Sequence, residues 1–145
     1  IFLLVLAVFI TLQWLVVIVR VTGISMEPTL RDGEIKVVNR LAYRSRSPQR
    51  GDIVSIGELK GQRDMYMKRV VALPGETFLI RNGYVHVNGE RIEEPYVLHR
   101  ASWYHPQIVL GSDEYMVIGD NRGMHITDHK FGRVERQFIV GKLWF

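Results

Sequence analysis

The sequence predicts a mainly β protein preceded by one membrane-spanning helix, and three observations carry that expectation. Residues 1–19, IFLLVLAVFITLQWLVVIV, hold no charge, and only Thr11 and Gln13 are polar among them. Beyond them no long apolar stripe of helical period occurs; short runs of Val, Ile, Tyr and Phe are separated by Gly, Asn, Asp and Pro, the pattern of strands and tight turns. Asn82-Gly83, between FLIR and YVHV, is the strongest local hairpin signal, because both turn positions accept positive φ.

A helix of the first run's length reaches about 28 Å, close to the ~30 Å hydrocarbon thickness of a bilayer. A buried core helix and a cleavable signal peptide are the alternatives. Arg20-Val21-Thr22-Gly23 follows the run directly, where a signal peptide would carry a small-x-small cleavage site. The expectation is a permanent anchor over residues 1–19, with Trp14 and Arg20 at the interface.

Strands are expected at Glu34–Asn39, Asp52–Ile56, Tyr66–Ala72, Thr77–Arg81, Tyr84–Val87, Glu114–Ile118 and Phe138–Leu143. A second Asn-Gly pair, Asn88-Gly89, ends the Tyr84–Val87 strand. Residues 20–145 then form one domain, in which about 78–111 read as an inserted β subdomain rich in turn residues.

Composition narrows the function. At 145 residues and 47% hydrophobic, the chain is too apolar to be disordered throughout. Without cysteine there is neither a disulfide scaffold nor a thiolate-built metal site. The 19 Lys+Arg and 15 Asp+Glu all fall in residues 20–145, leaving a modest +4. No basic helix or stacking motif accompanies that charge, so nucleic acid is not an expected partner. The densest basic run, Arg40 to Arg50, holds four arginines and no acid. It reads as a solvated loop or, beside an anchor, as a contact for anionic head groups.

Three stretches hold chemistry. In Gly23-Ile24-Ser25-Met26-Glu27-Pro28-Thr29-Leu30, Gly23 allows close backbone approach and Pro28 stiffens the following turn. Ser25 follows Arg20 by five residues, so it lies within about 18 Å of that residue. A serine before Met-Glu-Pro is more often a turn residue than a nucleophile. Its hydroxyl needs a base, and a lysine kept neutral by burial can serve. Lys68, in Tyr66-Met67-Lys68-Arg69-Val70-Val71-Ala72, meets that need, and strand alternation sends Lys68 and Arg69 to opposite faces. The competing reading makes both solvent-facing charges on an edge strand. The third stretch runs from Gly119-Asp120-Asn121-Arg122 through His125, Asp128 and His129 to Gly132, directly after the apolar EYMVI. It reads as a polar turn at a strand end, where binding residues are commonly held. A metal site at His125, Asp128 and His129 is a weaker reading, and a Ser-His-Asp arrangement with Ser25 is another.

In this order behind an apolar run, these stretches resemble the type I signal peptidase family. SMEPTL is similar to its nucleophile box, GDIV at Gly51–Val54 to the next, YMKRVVALPGE to the lysine box and GDNR to the last. RNGYVHVNG followed by EEPYV is similar to the small inserted subdomain of bacterial members. The resemblance implies an antiparallel, partly closed barrel-like catalytic domain. It implies a serine endopeptidase that removes signal peptides from translocated preproteins after a small-x-small site. Ser25 would be the nucleophile, Lys68 the general base, and the Ser25 backbone N–H an oxyanion donor. Gly23 stands where some relatives carry a hydroxyl. Arg69 is expected to pair with Asp120, with Asn121 and Arg122 completing the box; Met26 and Pro28 are expected to support the site, with Met26 and Leu30 as apolar packing near the site or the bilayer.

The last box departs from the family's GDNR-x-x-Ser-x-Asp-Ser-Arg. His125 falls on the first Ser, Thr127 on the Asp, Asp128 on the second Ser and His129 on the Arg. The family's first Ser bonds the lysine amine; a neutral His125 can accept that bond, and a protonated one repels the cation. Asp128, shifted by one residue, is an alternative source of the missing carboxylate. The implied partners are secreted preproteins and the lipid bilayer, with no metal or organic cofactor. The implied location is the cell membrane, crossed once, with the catalytic domain on the extracytoplasmic side. The competing function is a catalytically weak or inactive homologue that binds signal peptides or scaffolds partners.

Overall fold

A computed structural model describes residues 1, 2, 5, 15–57, 65–129 and 132–144. Among them lie β1 (Val16–Arg20), β2 (Ile35–Asn39), β3 (Ile53–Ile56), β4 (Tyr66–Ala72), β5 (Thr77–Arg81) and β6 (Tyr84–Val87). Next come β7 (Glu90–Arg91), β8 (His105–Val109), β9 (Glu114–Ile118), β10 (Gly132–Glu135) and β11 (Ile139–Leu143). Short 3-10 turns occupy Ile126–Asp128 and Arg136–Phe138. The expected strands all form, each within a residue of its expected start. Besides β1, taken up below, the expected set lacks β7, β8 and β10: one has two residues, one contains Pro106, and one follows a polar loop.

The strands make two antiparallel sheets among the described residues, ordered β1-β2-β11-β3-β4-β9-β10 and β7-β6-β5-β8. The first has β1 and β10 as its unbonded ends, so no closed barrel forms among the described residues. The second spans residues 77–109 and hangs on two tight Asn-Gly turns. Asn82 (φ 51°), Gly83 (φ 79°), Asn88 (φ 52°) and Gly89 (φ 84°) take the left-handed geometry that matches strand twist. Phe78, Ile80, Val85 and Val87 of this sheet share a core with Val71, Ala72, Met116 and Ile118 of the first.

The end of the apolar run differs from the expectation. Residues 16–20 form β1 and pair in register with β2, from Val16 opposite Asn39 to Arg20 opposite Ile35. The β-branched VVIV stretch has a strand partner, so its alternation wins over helix: Val17 and Val19 pack on the core, and Ile18 is exposed. No helix among the described residues is long and apolar enough to cross a membrane. Trp14 and most of the expected anchor lie outside the described residues. Arg20 belongs to β1, so the distance limit from a lipid surface at Arg20 to Ser25 no longer holds.

β4 is central, bonded to β3 and β9, which disposes of the edge-strand reading of Lys68 and Arg69. Its register sets Lys68 opposite Val54 and Arg69 opposite both Ile53 and Ile118. Since β9 ends at Ile118, the Gly119–Arg122 turn emerges beside Arg69.

Candidate active site

Ser25 lies in the turn between β1 and β2, anchored from beneath by apolar packing. Met26 and Leu30 are buried with Val21, Val38 and Met67, so they are core residues under the turn. Gly23 has φ 85°, and a Cβ there would meet nothing within 4 Å. Its requirement is therefore left-handed backbone rather than the close approach expected of it. Its N–H donates to Asp32 Oδ1 at 2.8 Å. Pro28 is exposed and follows a cis peptide bond.

Two strands of the chain far apart in sequence meet at this turn. Lys68, 3% exposed on β4, places Nζ 2.7 Å from Ser25 Oγ. An amine at that distance accepts the hydroxyl proton when neutral. From the other side, the Asn121 backbone N–H donates to the Ser25 carbonyl at 3.0 Å, and Asn121 Nδ2 donates to the Ile24 carbonyl at 3.0 Å. Gly119 makes this approach possible: a Cβ there would stand 2.2 Å from the Ser25 carbonyl oxygen.

Asp120 ties the boxes together. It accepts Arg69 Nε at 2.8 Å and Nη2 at 2.6 Å, and the Thr29 hydroxyl at 2.5 Å. Arg69 Nη1 also donates to the Gly51 carbonyl at 2.8 Å, and its guanidinium stacks over Tyr96, 3.8 Å from the ring centroid. One charge pair thus joins the nucleophile turn, the Gly51–Val54 stretch, β4 and the last turn. Arg122 turns away from the dyad, bonding the Gly119 carbonyl at 2.8 Å and pairing with the buried Glu94 of the segment after the second sheet's hairpins. Glu94 also holds Arg100 at 3.0 Å. Gly51, Thr29, Tyr96 and Glu94 were not singled out from sequence. All four stand inside quoted stretches, Thr29 in SMEPTL, Gly51 in GDIV, and Glu94 and Tyr96 in EEPYV, but the contacts they make are with residues distant in sequence.

The two histidines of the last turn have different fates. His125 is exposed, with Nδ1 2.7 Å from Thr127 Oγ1, and it caps the 3-10 turn. His129 is buried, with Nε2 2.7 Å from the Asn121 carbonyl and its ring edge-on to Trp103 at 4.6 Å between centroids. Burial holds the His129 imidazole below its usual pKa. The Lys68 and Arg122 cations push the same way, against the Asn121 carbonyl bond and Asp128. Asp128 lines a cavity of about 910 Å³ together with Ser25, Lys68, Met124, residues 17–24 and residues 65–67. The cavity is a slot between β1 and the start of β4, with the Ser25–Lys68 contact in its wall.

The chain is similar to known proteins over most of its length. The family model described as "Signal peptidase, peptidase S26" matches residues 1–145. The chain is 32% identical over 123 residues to a probable signal peptidase I-2 of Synechocystis sp., a match covering 81% of this chain and 56% of that protein. It is 30% identical over 155 residues to a signal peptidase IB of Staphylococcus aureus, covering 94% of this chain and 80% of that one. A solved signal peptidase I from Enterococcus faecalis V583 superposes with a TM-score of 0.52 at 25% identity, covering 68% of this chain and 97% of the other. The chain spans little more than half the length of the Synechocystis relative. With the family model matched from end to end, the chain belongs to the signal peptidase family, peptidase S26.

Proposed function

We propose that this protein is a membrane-anchored serine endopeptidase that removes signal peptides from translocated preproteins after a small-x-small sequence. The observation that supports it most directly is the 2.7 Å contact between Lys68 Nζ, buried on a central strand, and Ser25 Oγ. Neutral Lys68 takes the Ser25 proton as Oγ attacks the scissile carbonyl carbon. The Ser25 backbone N–H stabilises the oxyanion. The resulting ammonium gives its proton to the leaving amine as the peptide bond breaks and the acyl-enzyme forms. Water then loses a proton to Lys68, attacks the ester carbonyl and releases the acid, and the proton returns to Ser25 Oγ.

The preprotein enters the slot between β1 and residues 65–68 as an extended strand. The apolar run before Val16 is the anchor, the domain that follows faces the extracytoplasmic side, and residues from about 78 to 111 form an inserted β subdomain. Cleavage of a purified preprotein in detergent tests this reading. Ser25→Ala and Lys68→Ala should each abolish processing while membrane insertion persists. Cleavage near the wild-type rate by either variant would remove the mechanism; a wild-type protein that binds signal peptides without cutting them would establish the competing role as a binding homologue.

A further inference from the structure

Glu94 is a buried carboxylate, 4% exposed, in the segment that runs between β7 and β8 of the second sheet. Its Oε1 accepts Arg122 Nη2 at 2.5 Å and the Tyr96 hydroxyl at 3.2 Å. Its Oε2 accepts Arg100 Nη1 at 3.0 Å and, at a longer 3.4 Å, Arg122 Nη1. Four donors fill the lone pairs that a carboxylate offers. Burying such a charge is unfavourable unless it is fully partnered, and the mechanism above does not use it.

The partners lead to both members of the dyad. Arg122 is 1% exposed; its Nε donates to the Gly119 carbonyl at 2.8 Å, and its own carbonyl accepts the Ala101 N–H at 2.8 Å. Gly119 thus carries the guanidinium on its carbonyl while it lies against the Ser25 backbone, where a Cβ would stand 2.2 Å from the carbonyl oxygen. Two residues on, Asn121 donates to the Ser25 and Ile24 carbonyls, each at 3.0 Å. The Tyr96 ring, in turn, lies 3.8 Å from the guanidinium of Arg69, the neighbour of Lys68 on β4. Burial and the Glu94 charge both push the Tyr96 phenol above its usual pKa, so it stays a donor to Glu94.

We infer that Glu94 is a positioning residue for the dyad: through Arg122 it fixes the Gly119–Arg122 turn against Ser25, and through Tyr96 it backs the Arg69 guanidinium beside Lys68. Among the described residues, the second sheet supplies none of the lining of the slot. It acts instead through this one carboxylate on the 2.7 Å approach of Lys68 Nζ to Ser25 Oγ. The inference rests on the Ser25–Lys68 reading above.

Two measurements on the full chain test it. Glu94→Gln keeps the outline of the side chain and removes its charge. Amide hydrogen exchange at Asn121, whose N–H donates to Ser25, should accelerate by at least about tenfold more than at Val70, whose N–H on β4 donates to the Asp52 carbonyl. Equal acceleration at the two amides, or none at Asn121, overturns the proposal whether or not the protein cleaves anything. The second variant combines Glu94→Leu with Arg122→Met, removing both charges; apolar side chains in place of a buried pair commonly preserve stability. The Gly119 carbonyl nevertheless loses its donor. The folded double variant should therefore cleave a preprotein with kcat lowered about 10- to 100-fold and KM changed less than about threefold. Cleavage at near the wild-type kcat assigns the pair to burial alone and overturns the proposal. A wild-type protein that does not cleave removes the proposed function, and the exchange comparison then decides the role of Glu94 by itself.

Discussion

Arg69 closes on Asp120 through two N–H···O bonds, Nε to Oδ1 at 2.8 Å and Nη2 to Oδ2 at 2.6 Å, with the carboxylate side chain fully buried. The pair spans 51 residues of sequence and sits one residue from each member of the Lys68 strand position and the Asn121 turn. A guanidinium held this way fixes the strand that carries Lys68 relative to the turn that grips Ser25.

Removing the acid therefore strands a buried cation. Asp120→Ala should cost about 3–5 kcal/mol of stability, the usual consequence of breaking one half of a buried pair. Urea denaturation measures it; a loss below about 1 kcal/mol would show that Arg69 finds another partner.

Gly119 admits the Ser25 carbonyl where a methyl group would stand 2.2 Å from it. The obstructing atom is backbone, so Gly119→Ala must move the nucleophile turn. A displacement near 1 Å should lower kcat/KM by about 100-fold. Wild-type turnover in a folded Gly119→Ala protein would contradict the tight approach.

The strand assignment of residues 16–20 can be separated from a helix by alternation. Val19 packs on the core and Ile18 is exposed. Val19→Lys should lose roughly 1–3 kcal/mol, and Ile18→Lys should stay within about 0.5 kcal/mol. Equal losses at both positions would argue that the two side chains do not lie on opposite faces.

Burial, with Lys68 and Arg122, lowers the folded-state pKa of His129 below its unfolded value. Between the two values the unfolded chain binds more protons, so stability rises with pH there. This contribution is complete above the unfolded imidazole pKa, near 6.5. It declines as pH falls from there toward the lowered value. Unfolding free energies from pH 7.5 to 5 should fall more steeply for the wild type than for His129→Gln, which has no imidazole to protonate; parallel curves would contradict a buried neutral ring.

Much of the fold is local and was readable along the chain. Alternating β-branched and aromatic residues mark β2 to β6 and β9, and Asn82-Gly83 and Asn88-Gly89 specify their turns through φ alone. Ser25, Lys68, Arg69 and Asp120 were likewise legible as boxes of particular residue types in order. Their meeting was not, because contact between residues 25 and 68, or 69 and 120, follows from the pairing of β4 with β9 and from a glycine thin enough to let two backbones touch. The end of the apolar run shows the same limit: VVIV suits a helix in lipid or a strand in a sheet, and its pairing with β2 makes it a strand. The choice between His125 and His129 also depends on three-dimensional surroundings. Their spacing along the chain is similar in kind, but one imidazole faces water, and the other is enclosed by Trp103, Gly119 and the Asn121 carbonyl.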